Sequence, residues 1–154
     1  MKLADILRES CVIADIKGIT KKEILFEMVE TLRKAKLIDN IDSVVEIIME
    51  RERLGSTGIG DGVAIPHGKM KTLNTILCVA GRSKEGVNFD AVDRQPVHIF
   101  FLVLAPEGSA SQHLKVLSRI SKVLRDQSFR KKMLNLTDAH EIYTNIIEAD
   151  DKLS

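Results

Sequence analysis

Three features of the sequence predict an α/β fold, a three-layer α/β/α arrangement with helices on both faces of a mixed central sheet. Two near-continuous apolar runs, Leu73 to Ala80 and Val97 to Ala105, read as strands covered on both sides. Two capping-box spacings, Thr20 to Glu23 and Ser43 to Glu46, each open an apolar pattern of helical period. Between these helices and strands lies R-E-R-L-G-S-T-G-I-G-D-G-V-A-I-P-H-G-K, from Arg51 to Lys69, which holds five of the nine glycines.

In chain order, Leu3, Ile6 and Leu7 make one amphipathic turn, and Cys11 to Ile16 reads as a first strand stopped by Gly18. Ile24, Leu25, Met28, Val29, Leu32 and Ala35 place a helix over 21–36. The second box starts a helix that runs to about Leu54 and is capped by Gly55, so Arg51 falls on its last turn, pointing into the glycine stretch. The two long strands follow, joined by a turn-rich connection through Gly86, Asn88, Asp90, Asp93 and Pro96. Pro106-Glu107-Gly108-Ser109 ends the second and starts a helix with Leu114, Leu117, Ile120 and Leu124 on one face. Asp126 and Thr137 are the expected caps of two further helices, near 127–134 and 138–148, and the tail from Asp150 is expected to fray.

A chain of 154 residues is the size of one domain, and no linker or repeat divides 1–154. A net charge of +1, one Tyr and no Trp argue against nucleic acid and against an acidic membrane surface. No apolar run approaches the roughly 20 residues of a membrane helix, and charged residues occupy the N-terminal segment where a signal peptide would be apolar. A cytoplasmic protein without membrane insertion is expected. Cys11 and Cys78 stand in apolar surroundings without C-x-x-C spacing and read as buried thiols.

So many glycines in one stretch mean unusual backbone conformations or close approach of a ligand to backbone N–H groups. A P-loop does not fit, because Gly62 to Lys69 has five residues between the glycines and Met70 where Ser or Thr would hold magnesium. A dinucleotide fingerprint fails too, since the stretch leaves a helix and enters a strand. The four histidines, at 67, 98, 113 and 140, show no metal-binding spacing, although His67, His113 and Asp61 converging on zinc in space stays open.

His67 is set apart by its neighbours. Pro66 fixes its own φ and keeps Ile65 extended, while Gly68 frees the following turn, so the imidazole is presented at the end of a short strand. With an ordinary pKa near 6.5, about three quarters of such a ring is neutral at pH 7 and can attack phosphorus. A transferred phosphoryl group demands positive charge and N–H donors. Arg51 offers a planar cation, and the loop of Ser56, Thr57, Gly58, Gly60, Gly62 and Gly68 offers backbone amides, those from Thr57 to Gly62 above all. His113 stands in the first turns of a helix that follows a long strand, a place that favours anions, and either binds there or packs. His98 alternates into an apolar strand and reads as a satisfied histidine, and His140 as a surface one.

At these residues the sequence resembles the enzyme IIA domain of the fructose/mannitol type in the bacterial phosphoenolpyruvate-dependent phosphotransferase system. The resemblance rests on Arg51-Glu52, on Ser56-Thr57-Gly58-Ile59-Gly60-Asp61-Gly62, on Val63-Ala64-Ile65-Pro66-His67, and on His113, Leu114, Leu117 and Ile120. It covers essentially the whole chain. It implies that His67 accepts phosphate from a phosphohistidine on a small carrier protein, HPr or its nitrogen-branch relative, with Arg51 and His113 as phosphate partners and without metal or organic cofactor. In sugar-transport members the phosphate passes on to a IIB domain, and Cys78 is a poor match for such an acceptor. Leu54 to Gly58 and Pro66 to Lys69 look more like the stand-alone nitrogen-regulatory branch, whose members bind regulatory target proteins according to phosphorylation state. Leu54, Ile59 and Met70 are expected to ring the site.

Overall fold

The computed structural model describes residues 1–153. The N-terminal segment forms two short 3-10 turns, Leu3–Asp5 and Glu9–Cys11, and runs into strand β1, Val12–Ile13. Two helices follow, α1 (Lys21–Lys34) and α2 (Ile41–Arg53), then three short strands, β2 (Gly58–Gly60), β3 (Val63–Ala64) and β4 (His67–Met70). Two long strands, β5 (Leu77–Val87) and β6 (Val97–Pro106), precede helices α3 (Ala110–Arg125), α4 (Gln127–Asn135) and α5 (Ala139–Asp151).

The six strands form one mixed sheet built on β6. One edge of β6 takes β5 antiparallel, and β1 adds parallel to β5. The other edge takes β3 and then β4, both parallel, with β2 antiparallel to β3. Strand β6 is apolar along its length and buried from Val97 to Ala105 except at the half-buried His98. A strand buried on both faces needs helices above and below, and two adjacent residues of β5 locate them. A Cβ on Gly81 would meet Ile16 and Met28 of α1. The next side chain, Arg82, points the opposite way and donates to the carbonyls of Met133 and Leu136 at the end of α4. So α1 and α2 cover one face, and the group containing α4 covers the other.

Local signals account for most element boundaries. Thr20 caps α1 in the predicted box, and Ile24, Leu25, Met28, Val29 and Leu32 are its buried stripe. Asp126 caps α4. Several expectations are corrected. Helix α2 starts two residues before the Ser43 box, because the Asn40 side chain accepts the Ser43 N–H at 3.0 Å. Helix α5 is capped by Asp138, not Thr137, in a box with Glu141. The strand expected over 73–80 is β5, displaced to Leu77–Val87. The sequence after Ala80 looks like a stop, but buried Arg82 fits there because carbonyls of Ala14, Met133 and Leu136 accept from its Nε and Nη1, with Nη2 left without a partner among the described residues. The first strand is cut to two residues, with Ile16 still donating to Arg82 O at 2.9 Å. The tail is not frayed at Asp150: its buried carboxylate accepts the Leu3 N–H at 2.7 Å and the Arg119 guanidinium.

Both thiols are buried, and burial pushes Cys78 well above the usual thiol range. No helix among the described residues is long and apolar enough to cross a membrane.

Candidate phosphoryl-transfer cleft

Among the described residues strand β4 pairs only with β6, which leaves its other side as a free sheet edge. Alternation along β4 sends successive side chains to opposite faces. Gly68 faces α2, where a Cβ would lie 2.7 Å from Ile47 Cγ2, so only glycine lets α2 come this close. His67 faces α3 and meets the His113 ring edge-on, with centroids 5.3 Å apart and planes at 80°. Helices from both faces therefore reach the same edge. There they enclose a cleft of about 590 Å³, lined by Ile47, Glu50, Arg51 and Leu54 of the α2 end, His67 to Lys69, and His113, Leu114 and Leu117 of α3.

The His67 ring is half-buried and oriented by its own loop. Its Nδ1 lies 2.8 Å from the Ile65 carbonyl, which can only accept, so Nδ1 carries the proton. In the neutral ring the lone pair is then on Nε2. Burial is the largest effect and lowers the His67 pKa; the Ile65 bond opposes it, the Arg51 charge lowers it further, and Glu52 and then Lys69 act in opposite directions with smaller effect. The ring is thus held neutral further into acid than a free imidazole.

His113 is 5% exposed and belongs to the buried stripe of α3, which is His113, Val116, Ile120, Val123 and Leu124. The expected apolar face is corrected here, since Leu114 is 68% exposed and stands at the cleft rim. Burial, with smaller contributions from His67 and Lys69, pushes the His113 pKa down to about 4. Its Nε2 is buried without a hydrogen-bond partner among the described residues. A buried imidazole nitrogen left unpaired in a cleft wall is an anomaly that a ligand would remove.

Arg51 is on the last turn of α2 as predicted, and its guanidinium donates to Gly55 O at 3.0 Å. The neighbouring Glu52, whose part the sequence reading missed, is the buried anchor of the loop. It accepts from the Thr57 N–H and hydroxyl and pairs with Lys21 at 3.1 Å, while the Lys21 ammonium sits 4.7 Å over the Phe89 ring. An acidic residue directly after a helix-end arginine and five before a threonine is a faint signal for that role.

The cleft brings together His67, His113, Arg51 and Gly68 from the predicted set. Ser56, Thr57, Gly58, Gly60 and Gly62 are not among its lining residues. They build the β2–β3 hairpin and its entry, and their polar groups are committed there. The Gly58 N–H goes to Ser56 Oγ at 3.0 Å, and Gly62 O accepts from His98 and Ile99. Ile59 and Met70, expected at the rim, do not line the cleft either; Leu54, Ile47, Leu114 and Leu117 do. Asp61 lies on the hairpin turn with its N–H on Asp93 at 3.1 Å, and no three His, Cys, Asp or Glu side chains among the described residues are placed to hold a metal ion. His98 Nδ1 donates to Ser83 O at 2.8 Å, since that carbonyl can only accept. His140 is on the surface, paired with Glu9.

Three comparisons bear on this geometry. A family model described as "Phosphoenolpyruvate-dependent sugar phosphotransferase system, EIIA 2" matches residues 5–149. A nitrogen regulatory protein of Bradyrhizobium diazoefficiens is 39% identical over 145 residues, 94% of each chain. The fructose-specific EIIABC component of Bacillus subtilis is 36% identical over 152 residues, 99% of this chain and 24% of that one. The crystal structure of nitrogen regulatory protein IIA-Ntr from Neisseria meningitidis superimposes with a TM-score of 0.86 at 34% identity, covering 94% of this chain and 98% of that chain.

Proposed function

Because the chain belongs to the EIIA 2 family of the phosphoenolpyruvate-dependent sugar phosphotransferase system, we propose that it carries a phosphoryl group on Nε2 of His67. The observation that carries this reading is the Ile65 carbonyl on Nδ1, which leaves Nε2 as the nucleophile beside a second, unpartnered imidazole. The donor is a phosphohistidine on a small HPr-like carrier protein. Its N–P bond breaks as the His67 N–P bond forms, and the donor ring leaves with the electron pair of the broken bond. The lowered pKa of His67 keeps the nucleophile unprotonated, and the charge arriving on the phosphoryl oxygens meets the Arg51 guanidinium. His113 Nε2, when it bears the proton, donates to a phosphoryl oxygen and loses its unpaired state. Ala110 in the first turn of α3 also borders the cleft, where free backbone N–H groups favour an anion.

The nitrogen-regulatory relatives favour a protein that acts through phosphorylation-dependent binding. Leu54 and Leu114, 84% and 68% exposed on opposite rims, form an apolar border on which a new double charge would change docking. The similarity to a fructose-specific component favours a second reading, in which phosphate passes on to a IIB domain. Buried Cys78 is unsuited to receive it.

Incubation with phosphoenolpyruvate, enzyme I and the carrier is expected to give an acid-labile, alkali-stable phosphate that His67→Ala abolishes. Full labelling of that variant would reassign the acceptor. Turnover when the phosphorylated protein is mixed with sugar-specific IIB domains would select the transport reading; retention of the label would select the regulatory one.

A further inference from the structure

Two residues beyond His67, on the same face of β4, Lys69 lines the cleft with an exposed side chain. We propose that Lys69 is a second charge partner of the phosphorylated site, completing with Arg51 the neutralisation of the phosphoryl group; this rests on His67 being the acceptor.

A phosphoryl group near neutral pH carries roughly −1.5 to −2. The cleft wall holds two permanent cations, Arg51 and Lys69, and one acidic side chain, Glu50. The Glu50 carboxylate is already paired with Arg53. Arg51 alone supplies a single positive charge, and part of its donor fork is committed to Gly55 O. His113 sits too deep, and is held too strongly neutral, to supply the second. Lys69 forms no ion pair among the described residues. Lysines outside the ion pairs of Lys2, Lys21, Lys34 and Lys84 occur elsewhere in the molecule too; what distinguishes Lys69 is that it is the lysine lining this cleft. An unpaired lysine bordering a cleft with two neutral imidazoles is a cation without a counterion until the phosphoryl group arrives.

The same placement has a consequence before phosphorylation. The Lys69 charge opposes protonation of both His67 and His113, a small addition to the effect of burial in keeping the nucleophile's lone pair free. One ammonium therefore acts on both sides of the transfer, first by repelling a proton and then by attracting the phosphoryl oxygens. Its flexible stem suits this, because it need not be fixed in place when the cleft is empty.

The test uses potassium phosphoramidate, which phosphorylates accessible imidazoles with release of ammonia and needs no protein donor. Lys69→Gln is expected to slow labelling of His67 about tenfold, the effect of one partly screened charge in the transition state. Lys69→Arg is expected to stay within about threefold of the parent, as conservation of charge requires. NMR titration of the His67 ring should move upward in Lys69→Gln and stay in place in Lys69→Arg, a shift that a purely structural role would not produce. Raising salt should narrow the gap between parent and Lys69→Gln. Equal labelling rates and an unmoved His67 titration in Lys69→Gln would overturn the proposal, as would equal loss in both variants. Failure of the parent itself to label at His67 would instead remove the acceptor reading on which it rests.

Discussion

The β2–β3 hairpin and the His67 cleft are neighbours in sequence and differ in what their polar groups do. In the hairpin, amides and carbonyls find partners inside the protein. Thr57 is held by Glu52, Gly58 by Ser56, Asp61 by Asp93, and Gly62 O by two N–H groups of β6. In the cleft, among the described residues, His113 Nε2 has no partner and Lys69 no ion-pair partner, and His67 presents Nε2. Dense glycine therefore builds the hairpin scaffold in this protein, while the cleft holds an unpartnered imidazole nitrogen beside His67. The hairpin brings the chain from the end of α2 into the sheet at an angle that leaves His67 on a free edge.

That contrast is open to attack at several points. The largest expected effect is on the scaffold side: Glu52→Ala should lower stability by about 3 kcal/mol or more in urea unfolding, because buried Thr57 donors and the Lys21 ammonium lose their acceptor. His67→Ala, by contrast, should change stability by less than about 1 kcal/mol while removing the label. If Glu52→Ala is neutral, the hairpin is not anchored as described.

On the cleft side, the low pKa of His113 predicts an acid dependence. The folded state favours its neutral form, so this stabilisation is complete above the unfolded value of 6.5 and is lost as pH falls from there toward about 4. A shift of that size corresponds to at most about 3 kcal/mol. Urea midpoints for the parent and His113→Gln should therefore converge as pH drops from 7 to 4.5. Parallel curves would show that His113 is not held neutral by the fold.

Two glycines sharpen the boundary between the regions. Gly68→Ala places a Cβ against Ile47 and should shift α2, with a loss of about 1–2 kcal/mol and slower labelling because Arg51 moves with that helix. Gly60→Ala imposes a side chain at φ +97° beside Asp93, and should cost about 1 kcal/mol while leaving labelling of the folded protein unchanged. A labelling defect in Gly60→Ala equal to that of Gly68→Ala would join hairpin and cleft into one functional unit.

Much of the fold was legible in the chain. The Thr20 box and the stripe from Ile24 to Leu32 marked α1, and the run from Val97 marked β6, whereas His67, expected at the end of a short strand, instead opens β4. Other features were misread for definite reasons. Apolar periodicity assigned Leu114 to the core of α3, where the period His113, Val116, Ile120, Val123 describes the buried stripe, because histidine was not counted as a core residue. Arg82 looked like the end of a strand, since nothing local announces that the last turn of α4 will supply carbonyls to a buried guanidinium.

By itself the sequence determined the caps at Thr20 and Asp126, the buried face of α1, and the placing of Arg51 at the end of α2, because these depend on residues within a turn or two of one another. Tertiary structure alone decided that the end of α2 and the start of α3 meet at the β4 edge, and so which amides, imidazoles and cations remain without partners. Those relations come from β6 accepting β3 and β4 along one edge, with helices packed on both faces. The free energy that sets them is burial summed over contacts distant in the chain, which no local pattern encodes.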